Sequence, residues 1–548
     1  MTVRTPAKAT LCSVLLLASG CADPPTHDGI TLLSPRRQLI RLSVDLRGVH
    51  PTEVELSAIE ASPELYEGFA DRYLADPRFL DRVESIWDLR FRTRTGETYF
   101  DVPEGIDPAR LADSLGDEPL KLIRHIVDQD LPWSTVVTAP YTMADPALSA
   151  WWNIRREGDA DDPAWLPGFY QDGRPMSGVL SMTTLWQRYP SAGVNSNRHR
   201  ANQVSRILLC DDYLARPVSF ARTQADALTS GDPEAVIRDN GVCMSCHSSL
   251  DPLAANFYGF WWEVEGDRED QTVYRPEDEE LWREHAGRSP SFGGMAINGL
   301  PELGRELAAD SRLPRCATET LLGALGQRTL DVDLDWSEIE RHRGVFETED
   351  QSVRALARSI VTSREYRAAA FADTRAARVP TVKTVEPAQL AGIIEGITGY
   401  RWVFDGRDGL TTLDSGLVIL AGGTDGRLVT EPNHEPSVGL ALIQERLAWS
   451  AAWAVARADL DPERQGDARL LHLVTVEDTP DSARAAFEAQ IRALYLAATG
   501  VPLEGEPPPE LDTLITLWRQ LYAVDRSPVT AWAGVVSVVL RDPMVLFY

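Results

Sequence analysis

Apolar residues along the chain recur mostly at intervals of three and four, the spacing that gathers them on one face of a helix. From Leu39 to about Phe91 this spacing predicts helix, with Tyr66, Phe69, Tyr73 and Leu74 on the apolar side. Asp113 to Asp128 predicts another amphipathic helix. NRHRANQVSRILLCDDYLA predicts a further one, entered from Asn195–Asn197, where polar side chains suit a helix start. LPELGRELAAD, LPRCATETLLGALG and QSVRALARSIVTSREYRAAAF are three more helical runs, and helices are expected over Leu440–Leu460 and Ala483–Ala498. Strand signals are sparse, the best being SGLVILAG and LLHLVTV. Pro, Gly and Asp crowd Arg156 to Pro175, which predicts a loop. YRPEDEELWREHAGRSPSFGGMAING reads as a polar surface excursion, residues 373–388 as a linker, and VPLEGEPPPE as a Pro-rich connector. The pattern predicts a mainly α protein of several helical bundles with few short strands. A weak internal echo supports this: LSVDLRGVHPTEVE, LLGALGQRTLD and LYLAATGVPLEGE each run as helix, Gly and turn.

The first residues change the picture of where the chain works. MTVRTPAKATLCSVLLLASGC has Arg4 and Lys8, a short apolar run and small residues ending in Cys21. Such a run is too short to span a bilayer and suits an export signal. Small residues leading into a Cys resemble the lipobox of bacterial lipoproteins, which implies cleavage before Cys21 and acylation of its thiol. Ala22 after the Cys leans towards the outer membrane by the same analogy. The expected organisation is a signal peptide over 1–21, a tether over 22–37, an N-terminal helical domain over 38–130, and a cofactor-bearing domain over 131–265. A helical closing domain over 266–375 and a C-terminal helical domain of unassigned role over 376–548 complete it. The formal net charge of −28 argues against nucleic acid and against adhesion to anionic lipid, so the membrane is reached through the lipid anchor only.

Six cysteines carry most of the chemistry. Cys12 leaves with the signal and Cys21 takes the lipid. Cys210 and Cys316 are candidates for a disulfide in an oxidising compartment, or are two buried free thiols. Cys243 and Cys246 lie in Cys243-Met244-Ser245-Cys246-His247. A zinc site would need a second ligand pair, which is missing. A thioredoxin-like site would need an apolar strand before the first Cys, also missing. Haem c attachment fits pattern and compartment. Two thiols add to the vinyl groups, the adjacent His ligates iron, and helical spacing puts all three side chains on one side of a turn.

The segment CMSCHSSLDPLAANFYGF resembles the cytochrome c segment of the planctomycete-type cytochromes, large exported haem proteins of planctomycetes and myxobacteria. LIRLSVDLRGVHPTEVEL, YLADPRF, APYTMADPAL, GRPMSGVLSMTTLWQRYPS, RCATETLLGALGQRTLD and SIVTSREY resemble other segments of that family, in order along most of the mature chain. Only the haem motif is specific by itself. The resemblance implies a mostly helical, exported haem protein and supplies no substrate.

The sixth iron ligand stays open. Met295 in FGGMAINGL lies at the distance beyond the motif where small cytochromes c carry a methionine; His285, His199 and Met182 are alternatives. A carbonyl at or beside Pro252 is expected to accept from the proximal His, NFYGFWW to bury the macrocycle, and Arg198 and Arg200 to meet its propionates, unless they are solvated. No nucleophile elbow, His-Glu-x-x-His, phosphate loop or dinucleotide fingerprint occurs, and FDGRDG lacks the carboxylates of a calcium loop. Three functions follow as expectations. The first is a lipid-anchored monohaem c-type cytochrome passing single electrons to redox partner proteins at the periplasmic side of the outer membrane or at the cell surface. The second is a peroxidase- or oxidase-like haem enzyme with an open iron, and the third a structural or assembly lipoprotein of the surface.

Overall fold

A computed structural model describes residues 29–548 apart from 99–101, 103–106, 160–161, 192–194, 218–234, 238–239, 261–273, 286, 414–415, 462, 464–466 and 504–507. The signal segment, Cys21, Trp261 and Trp262 lie outside the described residues. Among those described, the chain is mainly helical with few short strands, as its periodicity predicts.

The expected helical stretch from Leu39 to Phe91 is four helices: α1 (Pro35–Arg47), α2 (Glu53–Ala61), α3 (Tyr66–Leu74) and α4 (Pro77–Phe91). A long helix, α5 (Pro108–Asp128), follows. A Ser or Asp just before a Pro starts many of them. Ser34 accepts from Arg37 N before Pro35, Asp76 from Arg78 N before Pro77, Asp107 from Ala109 N before Pro108, and Asp145 from Leu148 N before Pro146. The side-chain oxygen satisfies a backbone donor that the first turn leaves unpaired, and Pro loses nothing at a position whose N–H has no helical partner. The echo noticed in the sequence is a matter of helix ends. α1 stops at Gly48 (φ 67°), helix Arg484–Thr499 at Gly500 (φ 68°), and helix Arg312–Gly326 at Gln327 (φ 46°), all left-handed.

Among the described residues the strands are β1 (Ile30–Leu32), β2 (Thr142–Ala144), β3 (Ile154–Arg156), β4 (Leu166–Tyr170), β5 (Ser291–Phe292), β6 (Met295–Ala296), β7 (Ala368–Phe371), β8 (Val403–Phe404) and β9 (Arg407–Asp408). Several fall where other structure was expected. β1 pairs antiparallel with β7, Ile30 opposite Phe371, and α1 begins at Pro35, so residues 30–37 are not a loose tether. The expected loop from Arg156 to Pro175 supplies β4, the centre of a three-stranded sheet ordered β2-β4-β3. Its inner side packs with Leu111 and Leu115 of α5 against Leu148 and Trp152. Neither predicted strand forms. Leu417–Leu420 is a single helical turn. In LLHLVTV the backbone N–H groups of Leu470 and Leu471 go to the Asp459 carboxylate at 2.7 and 2.8 Å, and that of Leu473 goes to Gln490 at 2.9 Å. Side chains take the donors that a sheet partner would have used.

The main apolar core is one continuous cluster drawing residues from Leu39 to Tyr548, with members in each of the four expected helical divisions. The segment read as a linker is part of this interior: Lys383, Thr384 and Val385 are buried. Lys383 donates to one oxygen of the buried Asp45, whose two oxygens also accept from Tyr366 and Tyr548 hydroxyls at 2.6 Å each. Lys383 and Tyr548 exchange backbone hydrogen bonds at 2.9 and 3.0 Å. Arg41 fills the same layer and donates to the carbonyls of Tyr366, Ala368 and Thr381. Burial pushes Lys383 below the ordinary lysine value despite the pull of Asp45. This cluster ties the first helix to the last residue through hydrogen bonds to both oxygens of Asp45. None of the described helices is long and apolar enough to cross a membrane.

Candidate haem attachment site

The Cys-x-x-Cys-His motif is helical throughout. The motif helix spans Gly241–Ala254, with Asn240 accepting from Val242 N at its start. Cys243 and Cys246 are free and one turn apart; Cys243 is buried and Cys246 half-buried. His247 follows Cys246 directly and stands four residues after Cys243, on the same side of the helix, as the spacing predicts.

The hydrogen bond that orients His247 differs from expectation. Its Nδ1 lies 2.8 Å from Oδ1 of Asp251, one turn on, and not on a carbonyl at Pro252. The Pro252 carbonyl instead accepts from Asn256 Nδ2 at 3.1 Å. Asp251 does not start a helix here: the motif helix runs on through Pro252 to Ala254, so its side chain is turned along the helix towards His247. Arg198 then closes on Asp251 as a fork, Nε to Oδ1 at 2.8 Å and Nη2 to Oδ2 at 3.2 Å. Burial pushes the Asp251 carboxyl up, but the hydrogen bonds from His247 and Arg198 outweigh it and hold the group below the usual carboxylate value.

Arg198 is the first residue of helix Arg198–Leu209, directly after Asn197, so that helix delivers the guanidinium to the motif. The expected propionate partners are therefore committed otherwise. Arg198 holds Asp251, and Arg200 is fully buried, donating to the Phe260 carbonyl at 2.6 Å and to Asn197 Oδ1 at 3.0 Å. Burial lowers Arg200 to about 9. The far end of the same helix is pinned. Cys210 caps it and is joined to Cys316 in a disulfide with Cα atoms 5.2 Å apart. Of the two readings open for that pair, the bridge is the one found, and Arg90 donates to both sulfurs.

The surroundings sort the remaining candidates. Hairpin β5–β6, turned by Gly293 and Gly294, packs its first strand against the motif helix, and Arg288 reaches Met244 Sδ at 3.4 Å. Met295 rides on this hairpin with its side chain 60% exposed. His285 stacks on Tyr258 with ring centroids 6.0 Å apart. His199 lies edge-on to Tyr189 at 5.8 Å, one residue from Arg198, and burial with the charges of Arg188, Arg200 and Arg206 lowers its pKa. Met182 is wholly enclosed in the main core. Phe257 and Phe260 pack on Trp186 at 4.7 and 5.8 Å, so the described part of NFYGFWW is ordinary core. Tyr213 bonds Ser249 of the motif helix at 2.9 Å. Leu214 beside it, Val242 on the helix and Met295 on the hairpin are exposed apolar side chains bordering the motif.

These residues fit a covalently held haem. Two free thiols stand one helical turn apart, and the imidazole beside them has Nδ1 held by a carboxylate, leaving Nε2 as the nitrogen that would ligate a haem iron. The exposed apolar side chains are of the kind a macrocycle covers. Among the described residues, no three or more His, Cys, Asp or Glu side chains converge as a metal-ligand set, whereas a closed zinc cage needs four ligands. Asp251 is the residue of this candidate site that reading the sequence missed. Its signal was a His and an Asp four apart on a helix, in HSSLD.

Two other polar centres lie apart from the motif. Glu118, buried in α5, accepts from Thr142, Tyr170 and Thr184 hydroxyls at 2.7, 2.5 and 2.6 Å, and burial raises its pKa. A cleft of about 490 Å³ between α1, α4 and helix Pro387–Thr398 is lined by Arg47, Arg82, Arg94, Glu84 and Asp117, among others. Its charges pair with one another or with neighbours, as in Arg94 with Glu84 and Asp117 at 2.7 and 2.6 Å.

Compared with protein-family models, curated proteins and solved structures, the chain finds no match.

Proposed function

We propose that this protein is a membrane-anchored monohaem c-type cytochrome, exported, lipidated at Cys21, and transferring single electrons between redox partner proteins at the cell envelope. The observation that carries the reading is the division of the thiols. Cys210 and Cys316 are bridged, whereas Cys243 and Cys246 stay free beside a histidine whose Nδ1 is already held. A structural thiol pair would be expected to close; a pair reserved for the vinyl groups must not. The resemblance of CMSCHSSLDPLAANFYGF to the planctomycete-type cytochromes supports the same reading. A bound haem c would supply one-electron redox chemistry at its iron. Cys243 and Cys246 would anchor it, His247 would orient and ligate it, and Met295 is the first candidate for the sixth position.

A second reading, a haem enzyme with an open iron, is favoured by the Asp251 carboxylate on the proximal ring. An anionic partner makes imidazole a stronger electron donor, which suits oxygen chemistry. One experiment addresses both. The protein is produced with cytochrome c maturation, denatured and stained for covalent haem; native spectra are taken oxidised, reduced and with carbon monoxide. Covalent haem with a low-spin spectrum unmoved by carbon monoxide is the expected result. Absence of haem after denaturation overturns both readings, and ready carbon monoxide binding transfers the assignment to the enzyme.

A further inference from the structure

The buried polar centres of this molecule fall into two kinds. The Asp45 carboxylate is surrounded by two tyrosine hydroxyls and the Lys383 ammonium, and the Glu118 carboxylate by three hydroxyls, all from ordinary structural side chains. Asp251 is different, because one of its donors is the ring of His247, which has a second nitrogen to offer. Whatever happens to the electron density of that carboxylate is felt across the ring.

From this the geometry points to Asp251 and Arg198 as opposed positioning residues that set the reduction potential of a haem iron held by His247. The inference rests on the haem reading given above and goes beyond it by naming what tunes the site. A carboxylate 2.8 Å from Nδ1 pulls on the ring proton and makes Nε2 a stronger donor, which stabilises ferric over ferrous iron. Arg198 acts the other way. Its fork takes hydrogen-bonding capacity from both oxygens of Asp251 and places a positive charge behind the ring, which favours the ferrous form. The reduction adds one electron, taken from an electrode through a redox mediator.

The arrangement is also stiff. Arg198 is buried at the first turn of its helix, where Asn197 N donates to Ser191 Oγ at 2.9 Å and His199 N donates to Asn195 Oδ1 at 2.7 Å. Asp251 is held within the motif helix, and only about a fifth of the His247 side chain is exposed to solvent. A fixed partner geometry makes the two contributions separable.

The test is potentiometry on the haem-loaded protein and two variants, with loading checked by the haem content of denatured protein. Asp251→Asn removes the negative charge and is expected to raise the potential, by roughly tenfold in the reduction equilibrium constant, about 59 mV for one electron. Arg198→Gln removes the opposing charge and is expected to lower it. A residue that merely supports the fold would not move the potential in opposite directions from its two ends. Unchanged potentials, or shifts of the same sign, overturn the inference. If Asp251→Asn does not fold, Arg198→Gln decides alone: a zero or positive shift overturns the assignment. No covalent haem in the wild-type protein is a different result, because it defeats the haem reading itself.

Discussion

Asp45 and Asp251 are both buried carboxylates that hold a basic side chain, yet they sit in regions built for different ends. Around Asp45 each partner ends inside the protein: Lys383, Tyr366 and Tyr548 all converge on it, and the result joins α1 to the end of the chain. Around Asp251 the chain of contacts leads from Arg198 through the carboxylate to a ring with one nitrogen left over, next to two free thiols. Burial, charge and pairing do not distinguish the two regions. The difference lies in whether the cluster is complete without a further group. A complete cluster stabilises the fold and fixes its geometry, whereas one that leaves donor atoms over has been arranged towards something else.

The contrast is broken most sharply by removing the thiols. Cys243→Ala with Cys246→Ala is expected to abolish covalent haem entirely, with circular dichroism and melting temperature almost unchanged, read by haem staining of the denatured chain. Retention of haem on the denatured variant would sink the attachment assignment. Removing the other thiol pair should do the reverse. Cys210→Ser with Cys316→Ser frees a loop of 106 residues, for which chain entropy gives a loss of about 4–5 kcal/mol in denaturant unfolding. Next comes the complete cluster. Asp45→Asn strands the Lys383 ammonium in the interior and is expected to cost about 3–5 kcal/mol, while haem per folded molecule stays constant. Adding Lys383→Met should recover part of that loss; no recovery would mean the two side chains are not coupled.

The smallest effect concerns a buried histidine outside both regions. His342 is 1% exposed, with Nδ1 2.8 Å from Ser359 Oγ, and burial pushes it down to about 4. Below about 6.5 the unfolded chain takes up a proton here, and the folded chain does so only near 4. Its contribution to stability is therefore complete above pH 6.5 and falls as pH drops to about 4, by about 1.4 kcal/mol per unit and about 3 kcal/mol in all. His342→Gln should flatten that part of the acid-unfolding profile, measured by chemical denaturation at successive pH values.

Helices were legible because a three-to-four spacing of apolar residues survives any arrangement of the finished fold; their starts were not, since Ser34 and Asp107 each stand before a Pro that begins the helix ahead of the apolar run at Leu39 and of Asp113. The Cys-x-x-Cys-His motif and its common helix face were legible because they are local. The small sheet was not: β4 carries Pro167 and Gly168 at its centre, residues that read as a break, and it is held by β2 and β3 from either side. LLHLVTV misled in the opposite way, since its apolar run is real but its backbone donors are taken by Asp459 and Gln490. Asp251 was hidden for a related reason. The Asp-Pro pair that caps helices elsewhere lies inside a helix here, and the arginine that fixes its role arrives from 53 residues upstream.

The bridge between Cys210 and Cys316 has a consequence for biogenesis. After Cys12 and Cys21, a chain threaded outward from its N-terminus presents Cys210, then Cys243 and Cys246, and Cys316 only later. Until the last emerges, the thiols on offer to Cys210 within the folded part are the two proposed to carry haem. In the oxidising space proposed for this protein, first-come pairing would forfeit the bridge and the attachment site together. The order of the cysteines thus demands either prompt haem ligation ahead of oxidation or a reshuffling catalyst that undoes early mistakes. In a host lacking both, the predicted product is a scrambled, colourless chain.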